Sequence, residues 1–151
     1  MIIEYELDIE QEVIEKWIQE LEYDKYIKYA SLEKTNCDVY TYVSVNLDTH
    51  AIKKELKGFN DVYVILEAIT EFLGEEKHIY DYYTVADCID SMINSDNSNR
   101  YVLSYIASYL EGIAPTHVYN AFLDKVAQYK KYGGHPPLKP EKGLRQEYYL
   151  I

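Results

Sequence analysis

Apolar positions along this chain repeat with two different periods, and each period marks an element. Residues Ile2 to Leu7 alternate apolar and acidic side chains, the pattern of a strand with one buried face. Ile9, Val13, Ile14, Trp17, Ile18 and Leu21 then form a stripe at helical spacing, with Glu10, Glu12, Glu15, Lys16, Glu20 and Glu22 lying off it. That spacing predicts an amphipathic helix over about 9–29. Residues 37–47 are rich in Val, Tyr and Thr and predict a second strand. Asp48 or Thr49 is placed to cap a short helical segment ending near Gly58.

Helical periodicity dominates the rest. Val62, Ile65, Leu66, Ile69, Phe72 and Leu73 predict a helix over 60–73, with Gly74 where a left-handed C-terminal residue would sit. The stretch Lys77 to Tyr83 reads either as an edge strand or as a wide loop. Thr84 followed by Asp87 resembles a capping box, and Val85, Cys88, Ile89, Met92 and Ile93 continue in register, giving a helix over 84–94. Val102, Leu103, Ile106 and Leu110 predict a helix over 99–111 that stops at Gly112, and Pro115 and Thr116 open a last one over 116–132. Beyond the Gly133-Gly134 pair, Pro136, Pro137 and Pro140 forbid a helix, so the tail is expected to be extended and to strap its apolar end, Tyr148 to Ile151, onto the body. Two strands followed by a run of helices argue for the α+β class: one helix-rich domain over 1–134 with a small N-terminal β-sheet, and an extended tail over 135–151.

Composition adds one constraint on the core. The 151 residues include 18 Tyr against 3 Phe and 1 Trp, and a Tyr ring can be buried only where its hydroxyl meets a partner or water. Cys37 and Cys88 read as buried free thiols, with a single disulfide as the alternative. No export signal precedes them and no apolar run reaches the roughly 18 residues of a membrane helix, so a soluble cytoplasmic protein is expected.

Charge changes the picture more. The formal net charge is −11, and it is unevenly placed: residues 1–111 hold 23 acidic and 9 basic side chains, residues 112–151 hold 3 acidic and 6 basic. Two segments carry most of the surplus. Residues 1–24 contain nine carboxylates against Lys16, and residues 58–96 contain nine against Lys77. In a strand, Glu4, Glu6 and Asp8 would project from one face about 6.8 Å apart. That is near twice the phosphate rise along one strand of duplex DNA, roughly 3.4 Å, so such a row could engage the Lys and Arg array of a nucleic-acid-binding protein. Like charges at i,i+4, such as Glu67 and Glu71, repel by a few tenths of a kcal/mol unless a cation approaches. Direct binding to DNA or RNA is disfavoured by the same charge. Solvation of ordinary polar helix faces is the plainer account of these clusters.

Other constellations carry less. Tyr101, Tyr105 and Tyr109 fall at i,i+4,i+8 beside the core stripe of their helix, as a binding ridge or as packing for a neighbour. The tail's Pro137-x-x-Pro140 is read as a stiff strap rather than a groove ligand. His50, His78, His117 and His135 are scattered, none pairs with Cys or another His at metal-ligand spacing, and no phosphate loop, dinucleotide fingerprint or nucleophile elbow occurs. The sequence thus predicts no catalytic residue, metal or cofactor and no membrane partner. It nominates Glu4, Glu6, Asp8, Glu12, Glu15, Glu67, Glu71, Glu75, Glu76, Asp87, Asp90, Tyr101, Tyr105 and Tyr109 as contacts for a basic protein partner that handles nucleic acid, with self-association through the tyrosine helix and tail as the alternative.

Overall fold

In the computed structural model, residues 1–34, 40–94 and 99–132 are described, those of Lys34, Lys130, Lys131 and Tyr132 by their backbone alone. Strand β1 (Ile2–Leu7) leads into helix α1 (Gln11–Glu22), followed by β2 (Ile27–Lys34) and β3 (Thr41–Leu47). Helices α2 (Thr49–Glu55), α3 (Val62–Gly74), α4 (Glu76–Tyr80), α5 (Val85–Ile93), α6 (Arg100–Ile113) and α7 (Thr116–Tyr132) complete the order. This is the helix-rich α+β class with a small N-terminal sheet. The chain divides into two compact units, one made of Met1–Lys54 and Thr70–Ala86, the other of Glu55–Ile69 and the residues from Asp87 onward. The tail over 135–151, its Pro-x-x-Pro segment, and Cys37 lie outside the described residues; Cys88 is a buried free thiol.

In the first unit the strands run in the order β1-β3-β2, antiparallel throughout. Ile3 faces Val45 and Tyr5 faces Val43 across β1 and β3, while Ala30 faces Val45 and Leu32 faces Val43 across β2 and β3. Directly opposed residues share a face, so these side chains form the inner side of the sheet. Helix α1 packs there, against β2, and buries Ile14, Trp17, Ile18 and Leu21. Trp17 has no exposed surface; its ring meets Tyr5 edge-on at 5.8 Å and its Nε1–H donates to the Tyr83 carbonyl at 3.0 Å. The Tyr5 hydroxyl in turn donates to the Thr70 carbonyl at 2.9 Å, which is how a tyrosine-rich core satisfies its hydroxyls.

Helix α1 ends at Glu22, seven residues before the expected limit, and 27–29 begin a strand instead. Asp24 makes the break. Its Oδ1 accepts the Tyr26 amide at 2.9 Å, turning the chain back on itself, and its Oδ2 accepts the Ala86 amide at 3.0 Å. A register irregularity between Ile27 and Tyr29 then shifts the alternation, so that Ile27 and Ala30, three apart, are both buried. A bulged strand thereby imitates helical spacing. The second strand is observed over Thr41–Leu47, and residues 37–39 of its expected range are not among those described.

Two further differences have steric or local causes. Gly74 belongs to α3 and has no positive φ; a Cβ at this position would overlap the Tyr5 ring, so close approach, not a left-handed cap, explains the glycine. Residues 76–80, expected as strand or loop, form the short helix α4, which buries His78 and Ile79. Asp48 does cap α2, accepting the Ala51 amide at 3.1 Å.

In the second unit α6 and α7 pack on each other, and Phe59 stacks on Tyr129 and approaches Phe122, both at 5.9 Å between ring centres. Asn99 caps α6, its Oδ1 accepting the amides of Tyr101 at 2.9 Å and Val102 at 3.4 Å. Helix α6 runs on through Gly112 to Ile113, because nothing about Gly112's backbone departs from the helix.

Candidate functional site

The outer side of the sheet follows from the same register. Three rows cross it: Ile2, Asn46 and Tyr29; Glu4, Ser44 and Ser31; Glu6, Tyr42 and Glu33. Ile2 is 57% exposed and Tyr29 45% exposed, and Glu4, Glu6 and Glu33 are exposed, whereas Ser44 is buried. The Tyr42 hydroxyl donates to the Glu6 carboxylate at 3.3 Å. Glu4 and Glu6 therefore share one face as the alternation requires, and Glu33 joins them from β2. Asp8, also exposed, lies past the end of β1 and so outside the row expected to include it.

Helix α1 carries the rest of the first acidic segment, turned the other way. Its buried stripe faces the inner side of the sheet, so Glu12, Glu15 and Glu20 project away from the layer that Glu4 and Glu6 leave on its opposite side. Glu15 accepts from the Gln11 side chain at 2.8 Å. Among the described residues, no Lys or Arg forms an ion pair with Glu4, Glu6, Asp8, Glu12, Glu15, Glu20, Glu22 or Glu33. Asp24 departs from the group, because its carboxylate is buried and spent on backbone amides.

Glu10, between β1 and α1, receives a hydrogen bond from the Tyr80 hydroxyl. That bond lowers the Glu10 carboxyl below its usual range and, with the repulsion between carboxylate and phenolate, pushes Tyr80 up to about 12. Near it, Glu75, Glu76, Lys77 and Tyr80 line an open pocket in which Lys77 lies 3.8 Å from Glu75. Glu71 is exposed on the same unit.

The second unit holds Glu67, Asp87, Asp90 and the three tyrosines of α6. The second acidic segment is thus shared between the units and is not one cluster within either. Tyr101 is 45% exposed while Tyr105 and Tyr109 are half-buried, and the Tyr109 hydroxyl reaches Glu67 of α3 at 3.5 Å. The tyrosine column therefore stands at the boundary of its core, as the helical spacing indicates. Glu67 and Asp87 are exposed and Asp90 is half-buried.

Of the other chemistry-bearing groups, His50 and His117 are exposed, whereas Cys88 and His78 are buried. His78 is fully buried, stacked on Phe72 at 3.8 Å and edge-on to Tyr83 at 5.7 Å, with its Nδ1 2.6 Å from the Phe72 carbonyl. Since a carbonyl only accepts, that nitrogen carries the proton. Among the described residues no group of three His, Cys, Asp or Glu side chains is arranged to hold a metal ion, and no helix is long and apolar enough to cross a membrane. Sequence reasoning did not place Glu33 and Tyr42 on the same face as Glu4 and Glu6, because that placement depends on the strand register. Comparison with protein-family models, curated proteins and solved structures found no match to this chain.

Proposed function

We propose that the protein is a non-catalytic acidic binding protein that docks on the basic, nucleic-acid-binding surface of a partner and blocks it, as anti-restriction, anti-CRISPR and nuclease-immunity proteins do. One observation carries the reading: the carboxylates at positions 4, 6, 8, 12, 15, 20 and 22 are all exposed, and among the described residues none is paired with Lys or Arg. Uncompensated anions repel one another, and a cationic surface relieves that repulsion as it binds. A partner built to neutralise phosphates offers such a surface.

The test uses purified DNA-cleaving and DNA-binding enzymes offered to the immobilised protein. A bound enzyme is expected to lose DNA binding in proportion to its occupancy, with affinity falling at least about ten-fold between roughly 50 and 200 mM salt. An enzyme that binds at saturation yet keeps its DNA activity, or an affinity indifferent to salt, overturns the proposal. A second reading, an assembly module that self-associates through α6, is favoured by the exposure of Tyr63 and Tyr101 in the second unit. Replacing Tyr101 with Ser would dissociate oligomers under that reading and leave blocking unchanged under the first.

A further inference from the structure

Strand β1 is an edge of the three-stranded sheet, and its register shows which of its backbone groups are in use. Met1 and Leu47 exchange two bonds: the Leu47 amide donates to the Met1 carbonyl at 2.8 Å, and the Met1 amino group donates to the Leu47 carbonyl at 3.3 Å. In an antiparallel ladder such exchanging pairs alternate with pairs that make no bond to each other. Ile3 with Val45 and Tyr5 with Val43 are therefore exchanging pairs, and the amides and carbonyls of Ile2, Glu4 and Glu6 point away from β3, out of the edge. Among the described residues, no hydrogen bond from any other element reaches those six backbone groups. The opposite edge differs, because α1 packs over β2 and Ile27 and Ala30 are buried there. The side chains of Ile2, Glu4 and Glu6 are all exposed.

We infer that the open edge of β1 accepts an extended, cationic segment of a partner protein as a fourth strand, paired antiparallel to β1. The inference rests on the function proposed above and names the way the partner is held. Affinity comes from main-chain bonds to the outward amides and carbonyls, a mode that needs no pocket and no movement of the sheet. Selectivity comes from the side chains beside those groups. Residues directly opposite across two strands share a face, so the added strand sets its own side chains against Ile2, Glu4 and Glu6. Opposite charges in such pairs attract and like charges destabilise, so Lys or Arg is required opposite both glutamates.

The spacing fixes a pattern for the segment. Read along its own direction, it carries a basic residue opposite Glu6, a second basic residue two positions on opposite Glu4, and an apolar residue two further on opposite Ile2, one every 6.8 Å or so. A second copy of this chain does not fit that pattern. An antiparallel pairing of two β1 strands that uses all three outward residues sets Glu4 against Glu4 and Ile2 against Glu6. An open edge would otherwise be a template for any exposed strand, its own copies included. The carboxylates thus act as a filter that rejects self-pairing and admits a basic strand.

Hydrogen exchange at single amides of the full chain tests the assignment, with a short capped peptide of the pattern arginine, valine, arginine, valine, valine. In the free protein the amides of Glu4 and Glu6 are expected to exchange far faster than those of Ile3 and Tyr5, and saturating peptide should slow them about ten-fold or more. In this pairing the arginine amides of the peptide donate to β1 and those of the two valines that follow them do not. Methylating the arginine amides should therefore weaken binding about ten-fold or more, and methylating those two valine amides should change it less than about three-fold. Glu4→Gln with Glu6→Gln should weaken binding about five-fold or more at low salt, while the equal charge change on α1, Glu12→Gln with Glu20→Gln, should leave it within about two-fold. Equal weakening by the two methylation patterns overturns the strand addition. So does protection of Glu4 and Glu6 equal to that of Ile3 and Tyr5 in the free chain, which would mean that the chain itself or a second copy already covers the edge. Blocking of a nucleic-acid-handling enzyme that leaves the Glu4 and Glu6 amides exchanging freely overturns it too, while leaving the charge reading intact. A peptide that protects those amides while no enzyme is blocked sinks the functional reading and keeps the acceptor edge.

Discussion

Asp24 offers the sharpest test of how the first unit is held together. Its carboxylate is 6% exposed and accepts two amides, that of Tyr26 in a buried setting and that of Ala86 in the first turn of α5, where a helix amide lacks an intrahelical partner. Asp24→Ala removes both acceptors and leaves the amides behind. A hydrogen bond to a charged group is worth about 1.5–3 kcal/mol, and the Ala86 amide, being only partly buried, can recover some of its loss from water. The expected cost is therefore about 3–4 kcal/mol, near the lower end of the doubled range. Asp24→Asn keeps one acceptor oxygen but turns an NH2 group toward the other amide, and should cost about half as much. Trp17, the only tryptophan, is fully buried in this unit, so its fluorescence reports the unit's unfolding. With a urea slope of roughly 2 kcal/mol per M, the alanine variant should lower the midpoint by about 1.5–2 M and the asparagine variant by less than 1 M. Hydrogen exchange at Tyr26 and Ala86 should quicken in the same order. A midpoint for Asp24→Ala within about 0.3 M of the parent would show that these two bonds contribute little, and with them would fall the account of why α1 stops where it does.

Three other outcomes follow from single contacts. Removing the Tyr80 hydroxyl with Tyr80→Phe should raise the Glu10 titration midpoint toward its usual 4.5, read from the side-chain carboxyl carbon by NMR, and an unmoved midpoint would refute the coupling. In the parent, that bond's contribution through Glu10 is present above about 4.5 and lost as pH falls through the lowered folded value. Through Tyr80 it is whole below pH 10 and lost as pH rises toward about 12. Gly112→Ala adds a methyl group to an exposed position inside α6 where nothing lies within 4 Å, so stability should rise by about 0.5–1 kcal/mol in thermal melts; a loss would mean the helix is not formed there. Gly74→Ala should destabilise by about 1–3 kcal/mol, because the Tyr5 ring it would strike is tied through its hydroxyl to Thr70, and a neutral result would show that the ring can swing aside.

Elements with an undisturbed period were legible in the sequence. Strand β1 and helices α3, α5, α6 and α7 keep their alternation or their i,i+3,i+4 stripes from end to end, and their observed limits lie within about two residues of those expected. Strand β2 was not legible, because the bulge at Ile27 to Tyr29 converts an alternating strand into one whose buried residues are three apart. The cue that α1 ends was present in Asp24, a residue that prefers turns, but a carboxylate that binds two amides looks in sequence like one that faces water. The same ambiguity covers Asp48 and Asp61, which accept the amides of Ala51 and Val64. Counting charges thus overstates the anions available to a partner, and only the packing shows which are committed. The place of Glu33 beside Glu4 and Glu6 was invisible for a different reason: its position on the outer row depends on a register with β3 that no local pattern encodes.

The division of the first acidic segment between two surfaces follows from the way each element satisfies the same core. Strand β1 must turn Tyr5 and Leu7 inward, which sends Glu4 and Glu6 out on one side. Helix α1 must turn Trp17 and Leu21 toward that same core from above, which sends Glu12 and Glu15 out on the other. A strand layer and a helix lie between the two sets, on the order of 15 Å. At about 0.1 M salt charges are screened over roughly 10 Å, so the two sides act on a partner almost independently. A cation brought to the outer side of the sheet would therefore feel Glu4, Glu6 and Glu33 and little of the helix, whatever the net charge of the chain.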